Sequence, residues 1–220
     1  MRLIALISGR GSNLLAVLDA IRSGQLAAEM VAVISNNPDA AGLARAQDAG
    51  IPTHVIDHRD YADRLPFDLA LSQQIDDYHP DLIILAGFMR ILGEDFVNQY
   101  HGRLINIHPS LLPAYRGLHT HARVLAAGEH QHGASVHFVT PELDGGPVIA
   151  RATVQVLPDD DAERLAARVL AEEHRLYPTV MGWFAAGRVR LQQHQVWLDH
   201  QPLSQPVELN ALEQPLSCDL

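Results

Sequence analysis

The chain has 220 residues, 47% of them hydrophobic, with 16 Lys plus Arg against 26 Asp plus Glu and a formal net charge of −10. That length supports one sizeable α/β core, and the acidic balance argues against sequence-independent nucleic-acid binding while leaving room for a local patch around a small anion. A single cysteine, Cys218, excludes a disulfide framework and a cysteine-based metal site, and no apolar run has the length of a signal peptide or a membrane span, so a cytoplasmic protein without nucleic-acid or membrane partners is expected.

Short apolar runs alternate with longer helical patterns through the first half. Residues 3–7 read as a strand and residues 12–23 as a helix, with Leu14, Leu15, Leu18 and Ile21 on one face. A strand at 30–35 leads to a helix over 40–49 that stops at Gly50, and 53–56 is a weak strand. Residues 64–78 are mostly helical, with Pro66 near the start. A strand follows at 82–86, a short helix at 93–100 and a strand at 104–107. Strands alternating with helices imply βαβ units and a mainly parallel sheet buried on both faces, which explains the unbroken Leu82-Ile83-Ile84-Leu85.

The second half differs. Residues 134–139 and 148–156 read as strands joined by Pro141-Glu142-Leu143-Asp144-Gly145-Gly146-Pro147, a turn that suggests an antiparallel pair at the sheet's end. Residues 160–184 form a long amphipathic helix interrupted near Pro178, and 188–192 with 196–198 suggest a terminal hairpin. The fold class is therefore α/β: a Rossmann-like open sheet, mainly parallel, with helices on both faces and an antiparallel C-terminal portion. Residues 1–200 are expected to form one domain and 201–220 a loose tail.

Four stretches carry chemistry. Ser8-Gly9-Arg10-Gly11-Ser12-Asn13 lies between the first strand and the first helix. Its glycines let backbone N–H groups approach a ligand, the helix N-terminus favours an anion, and Ser12 or Asn13 can cap the helix. A phosphate would fit; a tight turn is the plainer alternative. The third glycine of a dinucleotide fingerprint is absent, as is a P-loop Lys. In Gly87-Phe88-Met89-Arg90-Ile91-Leu92 the apolar side chains wall either a slot for a flat heteroaromatic ligand or ordinary core.

Leu104-Ile105-Asn106-Ile107-His108-Pro109 runs from strand into loop. Asn106 and His108, two apart, project to one side of the strand end, where open α/β sheets place ligand chemistry. Asp144, in the glycine turn, is either a local turn residue or a carboxylate brought beside His108 to hold its ring and favour its charged form. His119, His121, His130, His132 and His137 invite a metal reading, yet no His-Glu-x-x-His spacing is present and no metal is expected. Glu172-Glu173-His174 reads as a solvated helix face unless one carboxylate turns inward to a hydroxylated ligand.

Together these stretches resemble the glycinamide ribonucleotide formyltransferase family of the folate-dependent formyltransferase superfamily, from residue 1 to about residue 190. The resemblance implies transfer of the formyl group of 10-formyltetrahydrofolate to the amine of 5'-phosphoribosylglycinamide in purine synthesis. It also implies site residues. Asn106, His108 and Asp144 would be catalytic; Gly11, Ser12 and Asn13 would hold the substrate phosphate and Glu173 its ribose hydroxyls. Arg64, Met89, Arg90, Ile91, Leu92 and Asn106 would meet the folate. A homodimer is left open.

The chemistry stands on the residues too. Formyl transfer passes through a tetrahedral oxyanion to which Asn106 and a protonated His108 can donate, with Asp144 steadying the imidazolium and helping relay the amine proton through water. Two siblings fit less well. A tRNA-directed formyltransferase carries a basic C-terminal domain, whereas residues 188–220 hold Arg188 and Arg190 against four acidic residues. A formyltetrahydrofolate deformylase carries an N-terminal domain, whereas the first strand here begins at Leu3. The alternative of another class is a non-catalytic phosphate- or nucleotide-sensing module, which would need the glycine loop but not Asn106, His108 and Asp144 together.

Overall fold

The computed structural model describes residues 1–209, and its first strand, β1 (Arg2–Ile7), shows why the chain builds layers. Leu3, Ala5 and Ile7 enter one apolar cluster and Ile4 and Leu6 the other, the two-residue alternation of a strand covered on both faces. Strands β2 (Glu29–Ser35), β3 (Thr53–Val55), β4 (Leu82–Leu85) and β5 (Leu104–His108) lie parallel in this sheet. Strands β6 (Gln131–Phe138) and β7 (Val148–Gln155) extend it antiparallel beyond β5. A small separate sheet contains β8 (Val189–Gln192), β9 (Gln195–Leu198) and β10 (Gln201–Pro202). The two-residue β11 (Val207–Glu208) closes the main sheet, whose order is β11-β7-β6-β5-β4-β1-β2-β3.

Helices cover both faces. Leu14, Val17 and Leu18 of α1 (Ser12–Arg22), Leu43 and Ala46 of α2 (Ala41–Asp48), Val124 of α5 (Thr120–Ala126) and Leu176, Tyr177 and Val180 of α6 (Ala162–Ala185) pack on one face. Phe67, Leu71 and Ile75 of α3 (Arg64–Asp76) pack on the other with Phe96 and Val97 of α4 (Glu94–Gln99). Among the described residues no helix is long and apolar enough to cross a membrane.

Three expectations change. First, α6 runs unbroken through Pro178, because buried Leu176, Tyr177, Val180 and Met181 hold both sides of the missing backbone bond against the sheet. Second, residues 201–208 make paired contacts: β10 pairs with β9, β11 pairs with β7, and Glu208 forms an ion pair with Arg151 at 2.6 Å. The remainder of the expected tail, residues 210–220, lies outside the described residues. Third, β6 starts at Gln131 rather than at residue 134 and so includes His132, and residues 120–126 add a helix that shows no apolar stripe in the sequence.

Candidate active site

The strand order reverses between β1 and β4, so the loops after β1, β4 and β5 open on one crevice at the carboxyl edge. In the loop after β1, Gly11 caps α1 with φ 71°, and a Cβ there would lie 3.0 Å from the Gly42 Cα. A side chain would therefore strain both the backbone and its neighbour. No side chain caps α1, contrary to the expectation for Ser12 or Asn13. Asn13 instead donates from Nδ2 to the Glu173 carboxylate at 2.6 Å, and both side chains are buried. Burial pushes the Glu173 carboxyl upward, opposed by the Asn13 bond. Glu173 thus turns inward while Glu172 pairs with Arg175. Ser8 joins this loop to the next: its hydroxyl accepts from the Met89 N–H at 2.7 Å and its own N–H donates to the Gly87 carbonyl at 3.1 Å.

Asn106, His108 and Asp144 come together at the end of β5. His108 Nδ1 lies 3.4 Å from Asp144 Oδ2, and His108 Nε2 lies 3.1 Å from the Tyr115 carbonyl. Both ring nitrogens thus face oxygen acceptors, the arrangement that a doubly protonated ring satisfies. The two side chains are only 8% and 9% exposed, which shields their interaction from solvent. The Gly117 N–H also donates to Asp144 Oδ2, at 2.9 Å. Asp144 itself adopts φ 47°, a left-handed conformation that Asp tolerates better than most residues. Asn106 donates from Nδ2 to His137 Nε2 at 3.2 Å.

A cavity of about 90 Å³ meets this cluster, lined by Asn106, His137 and Asp144 on one side and by Phe88, Arg90, Ile91 and Leu92 on the other. The loop after β4 therefore brings three of its four expected folate contacts to the cavity. Met89, the fourth, is 66% exposed and does not line it. Arg64 heads α3 and lines a neighbouring groove with Asp68 and Gly93 instead. A larger cavity, about 760 Å³, lies between α1 and α6 and is lined by none of the expected site residues. His121 and His132 pair with each other, Nδ1 to Nε2, at 3.0 Å, while His119 precedes α5 and His130 precedes β6. Burial holds both paired rings below the usual histidine range, His132 at about 4.

Several residues at the cluster were not singled out for it by sequence. The Ser135 hydroxyl donates to the Ser110 carbonyl at 2.7 Å and accepts from the Leu112 N–H at 3.0 Å, fixing the loop after β5. Tyr177 on α6 donates from beneath to the Leu85 and Ile105 carbonyls, bracing β4 and β5. His137, considered only as a metal ligand, is the cross-strand partner of Asn106. A polar residue at alternate positions of an otherwise apolar buried strand, as in Ser135-Val136-His137, was the available signal.

Comparison with known proteins gives the chain a family. A profile of the formyl transferase family matches residues 1–181. The chain is 51% identical over 203 residues to the phosphoribosylglycinamide formyltransferase of Escherichia coli strain K12, covering 92% of this chain and 96% of that protein. It is 42% identical over 202 residues to the enzyme of the same name from Haemophilus influenzae, covering 92% and 95%. The solved structure of the phosphoribosylglycinamide formyltransferase of Coxiella burnetii superposes with a TM-score of 0.92 at 54% identity, covering 94% of this chain and 98% of that one.

Proposed function

The chain belongs to the formyl transferase family, and on that premise we propose that it transfers the formyl group of 10-formyltetrahydrofolate to the amine of 5'-phosphoribosylglycinamide, a step of purine biosynthesis. The observation that carries the reading is that Asn106 and Asp144 line one cavity beside the loop after β4, with His108 held against Asp144 behind them. A sensing module would need none of the three.

The reaction moves one acyl group between two nitrogens. The substrate amine attacks the formyl carbon, forming a C–N bond and an oxyanion. Collapse breaks the bond to the folate nitrogen, and the proton lost by the amine ends on that nitrogen. Asn106 is assigned to donate an N–H to the oxyanion. His108 supplies positive charge beside it and shares the N–H that meets the Tyr115 carbonyl. Asp144 is assigned to balance the imidazolium and to pass the amine proton on through water. The N-terminus of α1, with Gly11, Ser12 and Asn13, suits the phosphate, since its first N–H groups point outward without a side-chain cap. Glu173, held by Asn13 behind that loop, is assigned to the ribose hydroxyls. Arg90, Ile91 and Leu92 are assigned to the folate ring, and Met89 and Arg64 to its exposed portion.

Turnover of the purified chain with 5'-phosphoribosylglycinamide and 10-formyltetrahydrofolate, with a chelator present, tests the reading. Formylated product and tetrahydrofolate in equal amounts are expected. Release of formate without the formylated product would overturn it in favour of a deformylase, and binding without turnover in favour of a sensing module.

A further inference from the structure

On the formyl-transfer reading above, we infer that His137 is a positioning residue: its Nε2 lone pair fixes which way the Asn106 amide is turned, leaving one amide N–H of Asn106 for the formyl oxygen. His137 Nδ1 lies 2.8 Å from the carbonyl oxygen of Phe138. A carbonyl only accepts, so Nδ1 carries the hydrogen, and the neutral ring presents only a lone pair at Nε2. That lone pair faces Asn106 Nδ2 at 3.2 Å. The amide must present its NH₂ group there, because the opposite rotamer would set Oδ1 against the lone pair.

Neutrality of the ring matters for the third partner. His137 Nε2 lies 3.8 Å from Asp144 Oδ1. A protonated Nε2 would offer the carboxylate a second cation and draw it from His108; a lone pair offers nothing. His137 is 2% exposed, and burial holds its ring down at about 4, against the pull of the Phe138 carbonyl and of Asp144. Asp144 therefore keeps its contacts for His108 and the Gly117 N–H.

The backbone prepares this geometry. Antiparallel pairing of β5 with β6 sets Asn106 opposite His137 and His108 opposite Ser135, so all four side chains share one face. The register between β6 and β7 shifts between Val136 and His137, a bulge of the kind that re-aims a side chain beside a site. A Cβ on Gly146 would lie 1.8 Å from the Phe138 oxygen. The turn that carries Asp144 thus closes directly over the carbonyl that sets the His137 tautomer.

The test has a spectroscopic and a kinetic arm, both run on the full chain after parent turnover is established. Nitrogen-15 NMR of the histidine rings is expected to show His137 protonated at Nδ1 and bare at Nε2 at about pH 7. A hydrogen on Nε2 would overturn the inference whatever the activity. In the kinetic arm, His137→Leu is expected to lower kcat by about 10- to 100-fold with KM values little moved. In an Asn106→Ala background the same change should cost less than about 3-fold, since its target is gone. His137→Gln, whose carbonyl can accept from the amide, should recover most of kcat. Equal losses in both backgrounds, or unchanged kcat in His137→Leu, would overturn the inference. Should His137→Leu not fold, His137→Gln decides: a kcat as low as that of Asn106→Ala overturns it, and a near-parental kcat upholds it. Failure of the parent to transfer formyl groups would sink the functional reading alone, because the NMR arm reports on His137 independently.

Discussion

Asp144 meets His108, the Gly117 N–H and the approaches to His137 with one buried carboxylate, so a change at this position propagates through all three. Asn106→Ala, His108→Ala and Asp144→Ala are each expected to lower kcat by roughly 100- to 1,000-fold, with smaller effects on KM, because each is assigned to the oxyanion or to the cation beside it. The double and triple substitutions should lose far less than the product of the single losses, as expected for groups serving one intermediate. Steady-state rates of the seven combinations check this. Full multiplicative losses would mean that the three act on separate steps. Asn106 and His108 were legible because alternation on a strand end places them together without any knowledge of the rest of the fold. Asp144 needed the resemblance, since an Asp in a glycine turn is ordinarily there for the turn. The tautomer of His137 was not legible, because it depends on a carbonyl across a bend and on the register of two strands.

At the scale of elements, the loop after β1 and the pairing of α5 with β6 make separate demands. Gly11→Ala places a side chain at φ 71° against Gly42, and is expected to lower stability by about 1–2 kcal/mol. It should also weaken binding of the phosphorylated substrate more than that of the folate, as titration calorimetry of each ligand would show; equal weakening would remove the phosphate assignment.

The His121–His132 pair contributes to acid stability alongside His137, whose ring burial also holds down. Burial lowers both rings of the pair in the folded chain, so as pH falls protons bind the unfolded chain first. Stability is therefore complete above about 6.5, the ordinary histidine value, and drains as pH falls toward the His132 value of about 4. The loss attributable to His132 is at most roughly 3 kcal/mol, from its displacement alone. Urea midpoints of the parent and of His132→Gln at pH values above and below this window should show a shallower acid loss in the variant; identical slopes would mean that the pair titrates normally. Neither the pairing nor α5 was visible beforehand. The seven residues of α5 bury only Thr120 and Val124, too few to make a stripe, and two histidines eleven positions apart carry no sign of contact.

Over the whole molecule, the central strands were readable because parallel strands covered on both faces must be continuously apolar, as Leu82, Ile83, Ile84 and Leu85 are. The antiparallel extension by β6 and β7 was readable from the turn between them. The return of the chain along β7 was not, since the two residues of β11 have no periodicity to read. Arg64 came from the resemblance alone, whereas Met89 was also read as one wall of an apolar slot that it does not in fact line.

The Asn13–Glu173 bond spans 160 positions of sequence, from the first helix to the last. Contacts of such separation form late, after the local hairpins and the nearer βαβ units have closed their shorter loops. The loop after β1, assigned above to the phosphate, would then be built early but become competent last, when α6 docks behind it. On dilution from urea, far-ultraviolet dichroism should recover first, and affinity for the phosphorylated substrate should lag behind it. Glu173→Gln, which keeps a hydrogen-bonding side chain of the same length, should leave that lag in place, and Glu173→Ala should remove the affinity it leads to. Simultaneous recovery of both signals would show that the two ends of the chain meet at the outset.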